Sequence, residues 1–201
     1  IENGVEKPEN IKINESVFDE EKLNLLYIGS LEFSKGIYKI FELLKLAKAR
    51  RLNIKMNFIG EWRHKNEKLI IDKYVEEYRL KNYYIDYGIK LNDKKWEIFK
   101  NCAILLHPTY WDGVPYSILE AMGVGLVIIS TNIGGIPDTI EKGKNGTILE
   151  HNTAEDIFDA VNYYFKNREV MKEISRRNIQ KFQERYSKDI FLKNMENWLN
   201  L

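Results

Sequence analysis

The chain has 201 residues, a formal net charge of +1, one Cys and 12 Gly, with 44% hydrophobic and 30% charged residues. That length suits one large domain or two small ones, and the composition is that of a folded domain rather than a disordered chain. A charge near zero argues against a nucleic-acid wrapper, the lone Cys102 excludes a disulfide framework or a Cys-rich zinc site, and no apolar run is long enough for a membrane-spanning helix.

No signal peptide is visible and the first residue is Ile1, so the expectation is a piece cut from a longer protein. Residues 1–21 are polar without a sustained period and read as a hinge or linker leading into the domain. LNLLYIG at 23–29 reads as a buried strand ended by Gly. Ile37, Ile40, Phe41, Leu44 and Ala47 recur at three and four, which predicts an amphipathic helix over 36–51. Its Lys39, Lys45, Lys48, Arg50 and Arg51 form a solvated basic face. A strand follows at 54–60, then a helix over about 66–79 with Leu69, Ile70, Tyr74 and Val75 expected inward. Strands at 82–88, 102–106, 126–130 and 146–149 alternate with short helices at 93–100, from Pro115 to Met122, and near Pro137. Helices over 154–166, 169–184 and 188–200 close the chain.

Apolar strands alternating with helices predict an α/β fold, a doubly wound parallel sheet of about six strands, Rossmann-like, with helices on both faces and a helical C-terminal tail. Ligands of such sheets sit beyond the carboxyl ends of the strands. The loops to watch are therefore 29–36, 60–66, 88–93, 107–115 and 130–137. Seven of the 12 glycines fall between Gly113 and Gly146, where the backbone must turn or approach something closely.

Three constellations lie in those loops. In Gly29-Ser-Leu-Glu-Phe-Ser-Lys35-Gly36, Lys35 stands at a helix start, against the preference of the macrodipole for anions. An anionic ligand such as phosphate would account for it. This segment alone favours a solvated Lys. In Asp112-Gly-Val-Pro-Tyr-Ser-Ile-Leu-Glu120, Pro115 fits the first helical position and frees the N–H groups of Tyr116, Ser117 and Ile118 as an anion site. Asp112 and Glu120 could accept hydrogen bonds from sugar or ribose hydroxyls. The residues alone weigh this equally against a dipole partner and a surface helix residue. Thr131-Asn-Ile-Gly134-Gly135-Ile-Pro137 lets the backbone approach a ligand or a neighbouring loop, or makes a tight turn. His107 reads as cleft lining or packing, and His64 and His151 have no metal-ligand spacing.

In order and spacing these pieces resemble the donor-binding half of a GT-B glycosyltransferase of the retaining family 4 type. The carriers are G29-S-L-E-F-S-K35-G36, F58-I-G60, D86-Y-G88, H107-P108-T109, D112-G-V-P-Y-S-I-L-E120-A-M122, G125-L-V-I-I, G134-G-I-P-D138 and N145-G-T-I-L, with N3-G4-V5 at the hinge. The chain departs from the family at Ser30 (an Arg there), at Asp112 (a Glu there) and at G60-E-W (G-x-G there).

The resemblance implies one half of a GT-B fold, with residues 22–184 as the nucleotide-sugar-binding domain and 185–201 packing toward a missing N-terminal acceptor domain. It implies that Lys35 contacts the donor pyrophosphate, Asp112 the hydroxyls of the transferred sugar, and Glu120 the ribose. Lys35 and Asp112 would be the catalytic pair. Gly29, Ser30, Gly113, Val114, Tyr116 and Ser117 would complete the donor site, with Ile89 touching the base. The substrate would be a UDP or GDP sugar, with no further cofactor and no metal. The acceptor would be a polysaccharide or lipid-linked glycan, in a cytoplasmic bacterial enzyme whose attachment to the inner membrane face, if any, runs through the missing domain. The fragment alone is expected to be inactive. Two alternatives stand beside this: a non-catalytic nucleotide-sugar-binding partner subunit, and a GT-B nucleotide-sugar epimerase.

Overall fold

A computed structural model describes residues 4–8 and 11–199. The hinge residue Asn3 and the final residue of the helix expected over 188–200 lie outside them. Six strands form one sheet: β1 (Leu23–Ile28), β2 (Ile54–Ile59), β3 (Tyr84–Asp86), β4 (Ile104–His107), β5 (Val127–Thr131) and β6 (Gly146–Leu149). Every pairing is parallel and the order is β3-β2-β1-β4-β5-β6. The fold is the doubly wound Rossmann-like sheet that the alternating pattern predicts. The chain winds outward from β1 through β2 and β3, then returns to place β4 on the other side of β1. That reversal leaves a crevice between the loops that follow β1 and β4, where ligands of this architecture bind.

The strands earn their positions by burial. Leu23, Leu25, Leu26 and Tyr27 of β1, Ile104, Leu105 and Leu106 of β4, and Val127, Ile128 and Ile129 of β5 are all buried. Each such aliphatic side chain contributes about 1.5–3 kcal/mol. Around the sheet lie α1 (Ile37–Ala49), α2 (Lys65–Tyr78), α3 (Asn92–Phe99), α4 (Tyr116–Val124), α5 (Ile136–Thr139), α6 (Ala154–Lys166), α7 (Arg168–Lys181) and α8 (Lys188–Leu199). A π turn over Phe182–Tyr186 links α7 to α8 and buries Phe182 and Tyr186. The segment before β1 is packed on the domain: Val17 and Phe18 of a 3-10 turn (Glu15–Phe18) are buried, and Val5 bridges to Ser187.

Two expectations need correction. On α2 the inward residues are Ile71 and Val75, with Tyr74 partly buried. Leu69 and Ile70 are 57% and 48% exposed. The run Leu69-Ile70-Ile71 offers two apolar stripes of the same period, and the register that buries Ile71 wins. Pro115 is the cap of α4, with extended backbone (φ −66°, ψ 128°), and the first helical residue is Tyr116. Periodicity fixes a helix end only to a residue or two.

Candidate functional site

A cavity of about 340 Å³ opens in the crevice, lined among others by Gly29, Ser30, Lys35, His107, Asp112 and Glu120. Lys35 arrives on the loop after β1. It ends a 3-10 turn, Phe33–Lys35, and Gly36 then takes a left-handed conformation (φ +77°) before α1 begins. A Cβ on Gly36 would lie 2.0 Å from the Pro108 carbonyl oxygen. Only glycine lets this loop sit so close to the loop after β4.

That second loop is pinned from below. The carbonyls of His107, Pro108 and Thr109 accept hydrogen bonds from Ser130 Oγ (2.7 Å), Asn152 Nδ2 (2.8 Å) and Thr131 Oγ1 (2.8 Å). The paired glycines of the third constellation seat it from the side: Gly135 donates its N–H to the Gly113 carbonyl at 3.1 Å, and a Cβ on Gly134 would lie 2.2 Å from the Asp112 carbonyl oxygen. Their role in the structure is a loop-to-loop contact.

At the centre the two loops are joined through charge. Lys35 Nζ donates to Asp112 Oδ2 at 2.9 Å and to the Trp111 carbonyl at 2.9 Å. His107 Nε2 lies 3.1 Å from the same Oδ2, while Oδ1 accepts the Gly113 N–H at 2.9 Å. The hydrogen bond from His107, aided by Lys35, holds the Asp112 carboxyl well below the usual carboxylate range despite partial burial. An ionised carboxylate only accepts, so Nε2 carries the proton of that bond. His107 Nδ1 is buried and has no hydrogen-bond partner among the described residues. Tyr27 lies parallel to the imidazole (centroids 6.4 Å apart) and donates its hydroxyl proton to the Ser30 carbonyl at 2.7 Å.

The far wall is α4. Its cap, Pro115, offers no side-chain hydrogen bond, so the N–H groups of Tyr116 and Ser117 are left for solvent or a ligand, whereas the Ile118 N–H expected beside them is taken by the Pro115 carbonyl at 3.0 Å. Val114, Tyr116 and Ser117 line the cavity there, and Glu120 reaches it from further along the helix. Glu120 Oε1 accepts a hydrogen bond from Lys95 Nζ of α3 at 2.8 Å.

Of the residues picked from the sequence, Gly29, Ser30, Lys35, Asp112, Val114, Tyr116, Ser117 and Glu120 line one cavity. Gly113 is not a lining residue and instead fixes the Asp112 carboxylate and the Gly135 amide. Ile89 is 56% exposed beyond Gly88, outside this cavity. Sequence reasoning missed Lys95 and Tyr27. Lys95 had no distinguishing signal on a charged helix, and Tyr27 reads simply as a core residue.

Residues 8–181 match the glycosyl transferases group 1 family. The chain belongs to that family. Among curated relatives, the capsular polysaccharide biosynthesis glycosyltransferase CapM of Staphylococcus aureus is 22% identical over 174 residues, which covers 87% of this chain and 45% of CapM. The putative colanic acid biosynthesis glycosyltransferase WcaL of Salmonella typhimurium is 26% identical over 141 residues, 66% of this chain and 34% of WcaL. The group 1 domain thus spans half or less of the length of these relatives. Anabaena HepE in complex with UDP-glucose superposes with a TM-score of 0.80 at 15% identity, covering 90% of this chain and 49% of HepE. The C-terminal domain of LpcC from Francisella tularensis gives 0.75 at 18% identity, covering 83% of this chain and 87% of that domain. These structures share the fold of a GT-B glycosyltransferase domain. No helix among the described residues is long and apolar enough to cross a membrane.

Proposed function

We propose that this domain is the donor-binding half of a retaining glycosyltransferase of the family 4 type. In this reading it binds a nucleoside-diphosphate hexose, of the UDP or GDP type, for transfer to a glycan or lipid-linked acceptor. The carrying observation is the convergence of Lys35, the uncapped start of α4 and two carboxylates, Asp112 and Glu120, on one cavity at the sheet's switch point. A lysine and a helix N-terminus suit a diphosphate; carboxylates beside them suit hydroxyl groups rather than phosphate. HepE, which shares the fold, has been crystallised with UDP and with UDP-glucose.

The reaction expels a nucleoside diphosphate, so negative charge grows on the leaving phosphate. Lys35 and the N–H groups of Tyr116 and Ser117 meet that charge, and removing one such donor costs typically about 10²–10³ in rate. Asp112 accepts from hydroxyls of the sugar and Glu120 from those of the ribose. The acceptor half, which residues 185–199 pack toward, closes the cleft. Any attachment to the inner face of the membrane belongs to that half.

The test is transfer by the full-length protein with Lys35→Ala, Asp112→Ala and Glu120→Ala introduced singly. Each is expected to lose transfer while remaining folded, and the isolated domain is expected to bind nucleotide weakly without turnover. Wild-type transfer by all three variants would remove the site assignment.

A further inference from the structure

Asp112 is held from two sides, and only one of them outlasts the binding proposed above. Its Oδ2 accepts from Lys35 Nζ at 2.9 Å and faces His107 Nε2 at 3.1 Å. Lys35 is a long, partly exposed side chain on a separate loop. If it serves a diphosphate, as the donor reading requires, its ammonium turns toward the phosphate and its bond to Asp112 weakens. His107 cannot follow. It is only 3% exposed, it lies parallel to the Tyr27 ring, and its carbonyl is tied to Ser130 Oγ. Among the described residues the imidazole ring makes one polar contact, at Nε2, and Nδ1 has no partner. A side chain kept in the core only to fill space would not need that nitrogen.

We infer that His107 is a positioning residue for Asp112: it keeps the carboxylate aimed into the cavity when Lys35 is drawn to the donor diphosphate, so that Asp112 can accept hydrogen bonds from the sugar. The inference rests on the donor reading and adds a separable consequence. Loss of His107 falls on the sugar and spares the nucleoside diphosphate, because the groups that meet phosphate, Lys35 and the start of α4, do not touch His107.

The experiment is a binding titration of the full chain with UDP, GDP and ADP, and with UDP-glucose, GDP-mannose and ADP-glucose. It compares the unaltered protein with His107→Leu, His107→Asn and His107→Gln. The Gln amide nitrogen reaches about as far as Nε2 and can still donate to Asp112; the Asn amide stands nearer Nδ1 and cannot. For the base that binds, His107→Leu and His107→Asn are expected to hold the diphosphate within about twofold. They are expected to lose about tenfold or more in affinity for its sugar conjugate, the size of one charge-assisted hydrogen bond. His107→Gln should restore most of it. Diphosphate binding also reports that each variant is folded, and should His107→Leu fail to fold, the Asn and Gln pair carries the comparison.

An unchanged ratio of sugar-conjugate to diphosphate affinity in the Leu and Asn variants overturns the inference alone, as does failure of Gln to rescue. A sugar that adds no affinity even in the unaltered chain also overturns it, since Asp112 then holds no hydroxyl. No binding of any of the six by the unaltered chain overturns the donor reading itself.

Discussion

Gly36 is where the two loops of the site touch, and replacing it with Ala separates two costs that can be measured. Its backbone is left-handed (φ +77°), a conformation that disfavours an L side chain by about 1–2 kcal/mol. A Cβ there would also lie 2.0 Å from the Pro108 oxygen and 2.7 Å from its carbonyl carbon. A carbon–oxygen contact needs about 3.3 Å, so the loops must part by about 1.3 Å. Forced overpacking of this kind costs about 1–3 kcal/mol. The lower entropy of the unfolded Ala chain returns about 0.4–1 kcal/mol. The net expectation is a loss of about 2–4 kcal/mol. Gly88→Ala is the control: Gly88 is also left-handed (φ +64°), but a Cβ there meets nothing within 4 Å. That variant should lose about 1 kcal/mol or less. Urea unfolding of both variants gives the difference, expected at about 1–3 kcal/mol. In a thermal melt each kcal/mol corresponds to roughly 2–4 °C for a domain of this size. Equal losses in the two variants would mean that the Gly36–Pro108 approach does not hold the loops together.

Three further outcomes follow from the site. Asp112 has a depressed folded pKa, chiefly through the bond from His107 and then through Lys35, so its contribution to stability is fully present above about pH 5 and is lost as the pH falls through the folded value. Urea unfolding should therefore show Asp112→Asn less stable than the unaltered chain by about 1 kcal/mol at pH 7, allowing for its exposure, with the gap closing toward pH 2; a gap that widens in acid would contradict the pairing. Tyr27→Phe removes the donor to the Ser30 carbonyl and should cost about 1–2 kcal/mol in the same assay, whereas a loss no greater than that of an exposed Tyr→Phe change would show the bond to be unimportant. Glu120→Gln should weaken binding of the ribonucleoside diphosphate but leave its 2′,3′-dideoxy analogue unaffected; an equal loss for both ligands would take Glu120 away from the ribose.

The sheet was legible because parallel strands buried on both faces are apolar throughout, and β1, β2, β4 and β5 advertise this in runs such as LNLLYI and VIIST. The loops at their carboxyl ends were legible because glycine marks them. What the sequence could not show was pairing at a distance. Lys35 and Asp112 are 77 positions apart, and Lys95 and Glu120 are 25 apart. Read locally, each looks like an ordinary charged residue near a helix. His107 was placed correctly at a strand end and read as cleft lining or packing, and it does line the cavity, but nothing local reveals that its ring faces a carboxylate. The α2 register was misread because three consecutive apolar residues satisfy two helical stripes, and the choice between them is made by what packs opposite. The paired glycines Gly134 and Gly135 were undecided between ligand and neighbour for the same reason: the loop they approach belongs to another part of the chain.

The resting site therefore has its acids already paired, and this shapes how it would meet a donor. Asp112 is engaged by Lys35 and Glu120 by Lys95, each at 2.9 Å or less. A diphosphate that recruits Lys35 exchanges one anionic partner for another. The gain from the new ion pair is reduced by the one given up, and the difference falls to the helix N-terminus, which begins without a capping side chain and gives up nothing. On this account the start of α4 contributes more to phosphate affinity than the lysine does. Replacing Lys35 with Met in the full chain should then cost less in nucleoside diphosphate affinity than the roughly 10–150-fold of an isolated charge-assisted bond, while Lys35→Met combined with Asp112→Asn should restore little. A loss at or beyond the upper end of that range for Lys35→Met alone would show that the ammonium is not offset by its resting partner, and the exchange would have to be abandoned.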